Sequence, residues 1–222
     1  MFRASPFRLA FAAVAVVGLA ALAGAVVSSD PDDAPPPVPR LRAVDGRVLF
    51  ASDFRKAASL ADWSPDRAGV WTLARGALRA RLPDKKQTRS LIYAGSEAWG
   101  EYAVDLDVCQ TRGVDKGIAL RVRNGRGVGV DLRGPGYHDV LLHLQELPLV
   151  SAPVHNDNDI WHHLRVEALD RRYRVFVDGK LVLDKADRRG LNRHGRIGLA
   201  AYTGGIGRCT VYYGNVMVTT LR

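Results

Sequence analysis

Polar side chains alternate with apolar ones along three neighbouring segments of the sequence, GIALRVR, GVGVDLR and VLLHLQ. Side chains of a β-strand point alternately to its two faces, so the polar residues of all three segments are predicted to share one face of a sheet. They are Arg121, Arg123, Asp131, Arg133, His143 and Gln145. Because a guanidinium fork can bind two hydroxyls or a carboxylate at once, this face predicts a polar ligand site. The alternative is an ordinary solvated face with Arg–Asp pairs.

Asp131 is the carboxylate of this predicted patch and therefore its catalytic candidate. Hydrolysis of a glycoside normally needs two carboxyl groups about 5 to 9 Å apart. Asp139, Glu146 and Glu167 are the available second members, but strand alternation places Glu146 on the face opposite Gln145. The sequence has neither a nucleophile-elbow motif nor a glycine-rich phosphate loop that opens a helix. Whether the protein is an enzyme stays open, with binding favoured.

Two loops carry further side chains suited to ligands. Tyr137 and His138 lie in GPGYHD, next to the patch, and are predicted to be exposed. The loop HNDNDIW contains Asp157 and Asp159, whose oxygens could bind calcium weakly. The alternative for this second loop is a polar turn before Trp161.

The chain begins with a segment typical of export. Positively charged residues precede an uncharged run over residues 9–27, which contains small residues suited to cleavage but would also rise about 28 Å as a helix. Residues 1–27 are therefore predicted to be either a signal peptide or a retained membrane anchor. The acidic and proline-rich composition of residues 28–43 predicts an extended linker, and residues 44–222 are the predicted folded domain.

The charge of the chain limits its partners. The formal net charge is +9, which suits anionic partners such as acidic glycans or lipid phosphates. The alternative is an arginine-rich solvated surface without a specific anionic partner. Nucleic acid is not expected as a partner, because the export segment directs the protein to a secreted, periplasmic or membrane-anchored location.

Cys109 and Cys209 are the only cysteines, and an even number in an exported protein favours a disulfide. Apolar residues at even positions of residues 102–108 and 210–218 are predicted to face the core. Both cysteines would then lie on the opposite face, as a cross-strand bridge requires. The alternative is two free buried thiols.

After residue 40, almost every recognisable segment is a short strand bounded by Gly, Asp, Asn or Pro. In RVFVDGKLVL, Asp178-Gly179 supplies two residues that tolerate positive φ, so we predict a type I′ hairpin turn rather than a catalytic or metal-binding carboxylate. About a dozen antiparallel strands in one domain predict a two-sheet β-sandwich or a barrel.

Several motifs, in the order in which they occur along the chain, resemble those of a known family. The motifs are LFASDF, VWTLARGALRA, AWGEYAVDLDV, GIALRVR, IWHHLRVEALDRRYRVFVDGKLVLDKAD, GRIGLAAYTG and TVYYGNVMV. This series resembles the concanavalin A-like lectin and glucanase superfamily, in particular laminin G-like jelly rolls and 3-keto-disaccharide hydrolase-type domains. The resemblance implies an all-β, two-sheet antiparallel jelly roll whose concave face binds glycans.

The resemblance also bears on cofactors and catalysis. Relatives in this superfamily hold a structural calcium near the first strand, where Asp53 lies here, but Gly214-Asn215 replaces part of the expected second ligand pair. The Glu-x-Asp-x-x-Glu strand of the retaining glucanases is absent. We therefore expect an exported or membrane-tethered carbohydrate-binding jelly roll. The alternatives are a glycoside hydrolase of the 3-keto-disaccharide type and a protein-interaction module of the laminin G-like class.

Overall fold

A computed structural model of the protein describes residues 34–144, 147–190 and 192–221. The predicted signal peptide or anchor, residues 1–27, lies outside the described residues, as does Gln145 of the predicted patch. In the described ranges, no helix has the length and apolar character needed to cross a bilayer.

Two antiparallel sheets form the domain, and the predicted all-β sandwich is confirmed. Sheet A contains, in spatial order, β13 (Lys180–Ala186), β12 (Arg172–Val177), β11 (His162–Leu169), β6 (Tyr102–Arg112), β15 (Thr210–Thr220), β4 (Ala77–Arg81) and β3 (Trp71–Ala74), and β1 (Val48–Ser52) also pairs with β15. Sheet B contains β10 (Leu147–Pro153), β9 (Asp139–Leu144), β8 (Arg126–Arg133), β7 (Asp115–Arg123), β14 (Arg196–Tyr202), β5 (Arg89–Ala94) and β2 (Ser64–Pro65). A short 3-10 helix spans Ala57–Leu60.

The core lies between the two sheets and follows the alternation of the strands. Buried apolar residues on β7, β8 and β9 occupy the even positions from 118 to 144, with the exception discussed below. Their odd-numbered neighbours lie on the outer face of sheet B, the face that points away from sheet A. Burial of one face of each sheet thus fixes the register, since a slip by one residue would move every apolar side chain out of the core.

Asp178 and Gly179 form the predicted hairpin turn between β12 and β13. Their φ angles are 51° and 81°, as a type I′ turn requires. The Asp178 carboxylate also accepts a hydrogen bond from the His163 backbone N–H at 2.8 Å and lies 2.8 Å from His162 Nδ1. The carboxylate therefore joins the hairpin tip to the start of β11, and its role is structural.

The prediction that Arg121 lies on the outer face of sheet B is wrong. Arg121 has a φ of 50° and sits in a β-bulge, where the β7–β8 register shifts between Leu120 and Arg123. The extra residue turns Arg121 toward the interior, where it is 1% exposed, and turns Val122 toward the outer face instead. Alternation counted from the sequence fails at this point because a bulge adds one residue to one strand only.

Arg121 makes a dense set of hydrogen bonds inside one end of the sandwich. Its guanidinium donates to the backbone oxygens of Gly100 (2.8 Å), Asp170 (2.7 Å), Asn192 (3.2 Å) and Ala168 (3.1 Å), and to the hydroxyl of Tyr173 (3.1 Å). These acceptors lie in three chain segments, at Gly100, in the β11–β12 hairpin and at Asn192, which meet only in the folded protein. A buried cation is tolerated there because its donors are hydrogen-bonded to oriented carbonyl dipoles.

The predicted disulfide is also wrong, since Cys109 and Cys209 are both free and buried. Cys109 pairs with Tyr212 and follows the core residue Val108 on β6, so its side chain faces away from the core. Cys209, in contrast, is part of the core. The cause is an irregularity of β15 around Asn215, whose φ is 50°. Core residues have odd numbers before it, Val211 and Tyr213, and even numbers after it, Val216 and Val218. Burial raises the pKa of each thiol to about 12, which keeps both protonated.

Part of the predicted linker lies against the outer face of sheet A. The Trp161 indole N–H donates to the Pro36 carbonyl at 2.8 Å, and the Asn215 amide donates to the Pro39 carbonyl at 2.9 Å. Pro35 is buried. The described part of the linker, residues 34–43, has no regular secondary structure, and its proline-rich stretch is nevertheless anchored to the domain.

Replacing Arg121 by Met should destabilise the domain by about 3 to 5 kcal/mol, because several buried carbonyls would lose their charged donor. Met has a similar length and leaves the backbone in the same conformation, so the change isolates the guanidinium. Urea unfolding followed by tryptophan fluorescence measures the difference. Arg123→Met is the matched control, with a change within about 0.5 kcal/mol, because the Arg123 side chain is 63% exposed. Equal stability of the two variants would contradict this role of Arg121.

Candidate functional site

A groove with a volume of about 630 Å³ runs over the outer face of sheet B. Side chains on β5, β14, β7, β8 and β9 lie in rows across this face, because paired residues of neighbouring strands point to the same side, and part of each row lines the groove. The first row is Arg89, Tyr202, Asp115, Arg133 and Asp139. The second row is Leu91, Ala200, Gly117, Asp131 and Leu141. The third row is Tyr93, Gly198, Ala119, Gly129 and His143.

Small residues form the floor of the groove, and larger side chains lie across it. A Cβ atom added to Gly129 would lie 2.0 Å from His143 Nε2, and one added to Gly117 would lie 2.5 Å from Asp131 Oδ1. A Cβ atom on Gly198 would similarly lie 2.9 Å from the ring of Tyr93. These close approaches require glycine, since no other residue leaves the space. The floor therefore fixes where the polar and aromatic side chains lie.

Asp131 and His143 form a pair in the groove, with His143 Nε2 3.1 Å from Asp131 Oδ2. The two side chains come from adjacent strands and are 28% and 16% exposed, respectively. A carboxylate beside an imidazole orients the ring, as in general acid–base sites. The structure thus brings together two residues of the predicted patch in a geometry suited to general acid–base chemistry.

Asp115 is a second carboxyl on the same face of sheet B, in the row beside that of Asp131, and the sequence analysis missed it. Burial and, to a smaller extent, the nearby charge of Asp131 raise its pKa to about 6, against the opposing charges of Arg133 and Lys116. The pKa of Asp115 is therefore moved close to neutral pH, where a carboxyl group can act as a proton donor. Strand alternation could have found it, because Asp115, like Ala119, lies at an odd position of β7, opposite in phase to the core residue Ile118.

Arg133 lies on the outer face as predicted, but its guanidinium is engaged by a neighbour. Its Nε and one terminal nitrogen donate to the two carboxylate oxygens of Asp139 at 2.8 and 2.5 Å. The exposed ring of Tyr137 lies 4.4 Å from the guanidinium carbon. The hydrogen bonds that Arg133 donates to Asp139 raise the pKa of Arg133 above its ordinary value. This ion pair forms one end of the row that contains Asp115.

The other wall of the groove contains aromatic residues that the sequence analysis missed. Tyr93 on β5 lines the groove, and the Arg196 guanidinium lies 4.6 Å from the centre of its ring. Tyr202 on β14 also lines it and donates a hydrogen bond to Gln87. Burial and the charge of Asp66 raise the pKa of Tyr93, so its hydroxyl stays protonated. No local motif connects β5 and β14 with β8 and β9, since they meet only through sheet pairing.

The remaining predicted ligand residues lie outside the groove. Arg123 is exposed at the end of β7, and its Nε lies 3.7 Å from Glu97. Tyr137 is 60% exposed, and His138 is exposed beside it in the turn between β8 and β9. His138 lies near the loop after β10, where Asp157 is 3.9 Å away.

The predicted calcium ligands do not converge. Asp53 accepts a hydrogen bond from the Arg55 backbone N–H in a local turn. Among the described residues, the metal-ligand cluster of three contains His138, His155 and Asp157, and includes neither Asp53 nor Asp159. The side-chain amide nitrogen of Asn215 donates hydrogen bonds to the Asp107 carboxylate and to the Pro39 carbonyl. The residues of this chain therefore do not fit the calcium site of the resembled superfamily, which needs converging oxygens.

The two antiparallel sheets, with a ligand-sized groove on the outer face of one of them, define a concanavalin A-like jelly roll. Residues 48–219 match the model of the 3-keto-alpha-glucoside-1,2-lyase-like domain, and the chain belongs to this family. No curated protein matches the sequence.

Several solved structures share the fold. A carbohydrate-binding module, CBM66 from Bacillus subtilis, is similar with a TM-score of 0.62 and 18% identity, covering 72% of this chain and 96% of the module. The Crh5 transglycosylase in complex with NAG is similar with a TM-score of 0.60 and 16% identity, covering 82% of this chain and 89% of the transglycosylase. The VIP36 exoplasmic/lumenal domain, bound to Ca²⁺ and Man3GlcNAc, is similar with a TM-score of 0.60 and 14% identity, covering 78% of this chain and 88% of that domain. At these identities, the similarity establishes the fold alone.

The carboxyl group of Asp115 should titrate near pH 6 rather than near its ordinary value of 3.8. Its raised pKa means that the folded state holds this proton more tightly than the unfolded state. The contribution of Asp115 to the free energy of unfolding therefore falls as the pH rises from 3.8 to 6. Asp131→Asn should lower the Asp115 midpoint but leave it above the ordinary value, since burial is the larger cause. Carboxyl ¹³C NMR measures both midpoints.

The control for this titration is Asp184, whose pKa is lowered by its hydrogen bond from Arg172 on sheet A. Its midpoint should not respond to Asp131→Asn. An Asp115 midpoint near 3.8 in the parent protein would contradict the buried position of this carboxyl.

Proposed function

We propose that the groove of sheet B binds a carbohydrate. The observation that carries this proposal is the arrangement of tyrosine rings on one wall and the Asp131–His143 pair on the other, across a floor of glycine and alanine. A pyranose has apolar ring faces that pack on aromatic side chains and hydroxyls that bind carboxylates and imidazoles. The volume of about 630 Å³ lies within the usual range of small-molecule sites.

Family membership and fold support this proposal. The family is described by its likeness to a lyase of a keto-glucoside, and the similar structures include a carbohydrate-binding module and a domain bound to an oligomannoside. Export or membrane tethering through residues 1–27 is part of the proposal, so the glycan would belong to the cell envelope or to an external polysaccharide. The formal charge of +9 favours an anionic glycan.

Tyr93→Ala should weaken glycan binding by roughly 1 to 3 kcal/mol, because the groove would lose an aromatic wall. A glycan array identifies the best oligosaccharide, and isothermal titration calorimetry with that compound measures the change. Tyr137→Ala is the matched control, since Tyr137 is an exposed tyrosine outside the groove. If Tyr137→Ala abolished binding and Tyr93→Ala did not, the site would lie in the loops. A protein that bound no glycan would instead favour the protein-interaction alternative.

A second function, β-elimination from a 3-keto-glycoside, is favoured by the combination of the Asp131–His143 pair with Asp115 and by family membership. A ketone at C3 acidifies the hydrogen on C2. In this reaction, the Asp131–His143 pair removes the C2 proton, the electron pair forms the C1–C2 double bond, and the C1–O bond breaks. The leaving oxygen takes a proton from the Asp115 carboxyl. Addition of water to the unsaturated product would give the outcome of a hydrolase.

The structure supplies a reason for this division of roles. Asp131 lies 3.1 Å from the His143 imidazole, whereas burial, with the charge of Asp131, raises the pKa of Asp115 to about 6, so the two carboxyls have different surroundings. The protonated fraction of Asp115 falls as the pH rises through about 6. Catalysis of a reaction with a poor leaving group should therefore decline through the same range.

His143→Gln should reduce the rate of elimination by about 10² to 10⁴ if this pair is the base. The test compares p-nitrophenyl and methyl 3-keto-α-glucosides, with the unoxidised p-nitrophenyl α-glucoside as the control substrate. Asp115→Asn should slow the methyl glycoside far more than the nitrophenyl one, because nitrophenolate leaves without a proton. Turnover of the unoxidised glucoside at the same rate would contradict elimination, and no turnover of any of the three would leave binding as the function.

A further inference from the structure

Three metal-binding side chains converge outside the groove, at the turn between β8 and β9. His155 Nε2 lies 3.0 Å from Asp157 Oδ2, and His138 Nδ1 lies 3.9 Å from Asp157 Oδ1. The ligand atoms of all three residues lie within 4.8 Å of one another. The two imidazole rings stack with their centres 5.7 Å apart. Each residue thus presents one donor atom toward a common point.

The loop that carries two of these residues is fixed to the domain by its alternate residues. Asn156 is fully buried and donates to the carbonyls of Arg133 and Val154, while its side-chain oxygen accepts a 2.9 Å hydrogen bond from the buried Lys116 ammonium. Asn158 donates to the Gly113 carbonyl at 3.2 Å. With the asparagines turned inward, His155 and Asp157 are left at the surface.

The second loop is fixed to the first one through the backbone. The Val154 N–H donates to the carbonyl of His138 at 2.9 Å, which holds the two histidines side by side. His138 itself has a φ of 51°, a conformation that costs free energy for a residue other than glycine. The surrounding hydrogen bonds therefore hold the His138 side chain in a position that a regular turn would not give it.

We propose that His138, His155 and Asp157 bind one divalent transition-metal ion, of which Zn²⁺ is the model. Donors bound to a tetrahedral zinc at about 2.0 to 2.1 Å lie roughly 3.3 Å from one another. Here the two histidines lie 3.0 and 3.9 Å from the Asp157 oxygens, and all three ligand atoms lie within 4.8 Å of one another. Two imidazoles with one carboxylate suit Zn²⁺, whereas Ca²⁺ and Mg²⁺ prefer oxygen ligands throughout. Small movements of exposed side chains bring the donors to the required distances.

The metal site leaves one coordination position open, since the protein supplies three ligands. The site is exposed, with the His155 and His138 side chains 81% and 44% accessible, so water or a ligand oxygen can take the fourth position. Asp139, which follows His138 in the chain, forms the ion pair with Arg133 at the end of the groove row. The metal would link the β8–β9 turn with the loop before β11, at the side of the groove.

Isothermal titration calorimetry of the metal-stripped full chain with ZnCl₂ tests this site. We expect saturable binding of one Zn²⁺ per chain and at least about 10-fold weaker binding by His138→Ala and by His155→Ala. His194→Ala is the matched control and should bind as the parent does, because His194 is an exposed histidine outside the cluster. Zinc should raise the melting temperature of the parent, and EDTA should reverse this increase.

A cobalt substitution distinguishes coordination from loose surface binding. Co²⁺ bound to two imidazoles and a carboxylate gives visible d–d absorption bands, and Asp157→Asn should change or remove them. Absence of saturable zinc binding would overturn the proposal, and so would parent-like binding by both histidine variants. Loss of zinc binding in His143→Ala, with retention in His155→Ala, would place the metal in the groove instead and would also overturn it. Circular dichroism of each variant confirms that the fold is retained.

Discussion

The hydrogen bonds of the buried Arg121 guanidinium are the interaction on which one end of this sandwich depends. They join carbonyls from three chain segments, at Gly100, at Ala168 and Asp170, and at Asn192, and their formation requires the bulge that turns Arg121 inward. The same bulge turns Val122 outward into the groove. One local change in strand geometry therefore both closes the end of the core and shapes the surface that lies behind it.

The chemistry of the groove depends on close packing over glycine. Gly117 and Gly129 allow Asp131 and His143 to lie flat on the sheet, so that the carboxylate and the imidazole meet across neighbouring strands. This placement also brings the Asp131 charge near Asp115, which is already partly removed from solvent. The difference between the two carboxyls thus comes from their surroundings and not from their residue type.

Much of the site could be predicted from the sequence wherever strands stay regular. Alternation placed Asp131, Arg133 and His143 on one face because β8 and β9 keep their phase through the positions involved. It failed for Arg121 and for Cys209, since in each case an irregularity in the strand changes which residues face the core. Tyr93 and Tyr202 were missed for another reason, because they reach the groove through pairings between strands far apart in the sequence.

The sequence by itself determined the all-β class, the hairpin at Asp178-Gly179 and the polar face of β8 and β9, because these follow from local periodicity and from turn residues with positive φ. The tertiary structure alone decided the location of β-bulges, the separation of the two cysteines and the convergence of His138 with His155. A bulge is stabilised by contacts on both faces of a sheet, and the convergence of two loops is stabilised by the packing beneath them. Neither contribution can be predicted from the residues of a single segment.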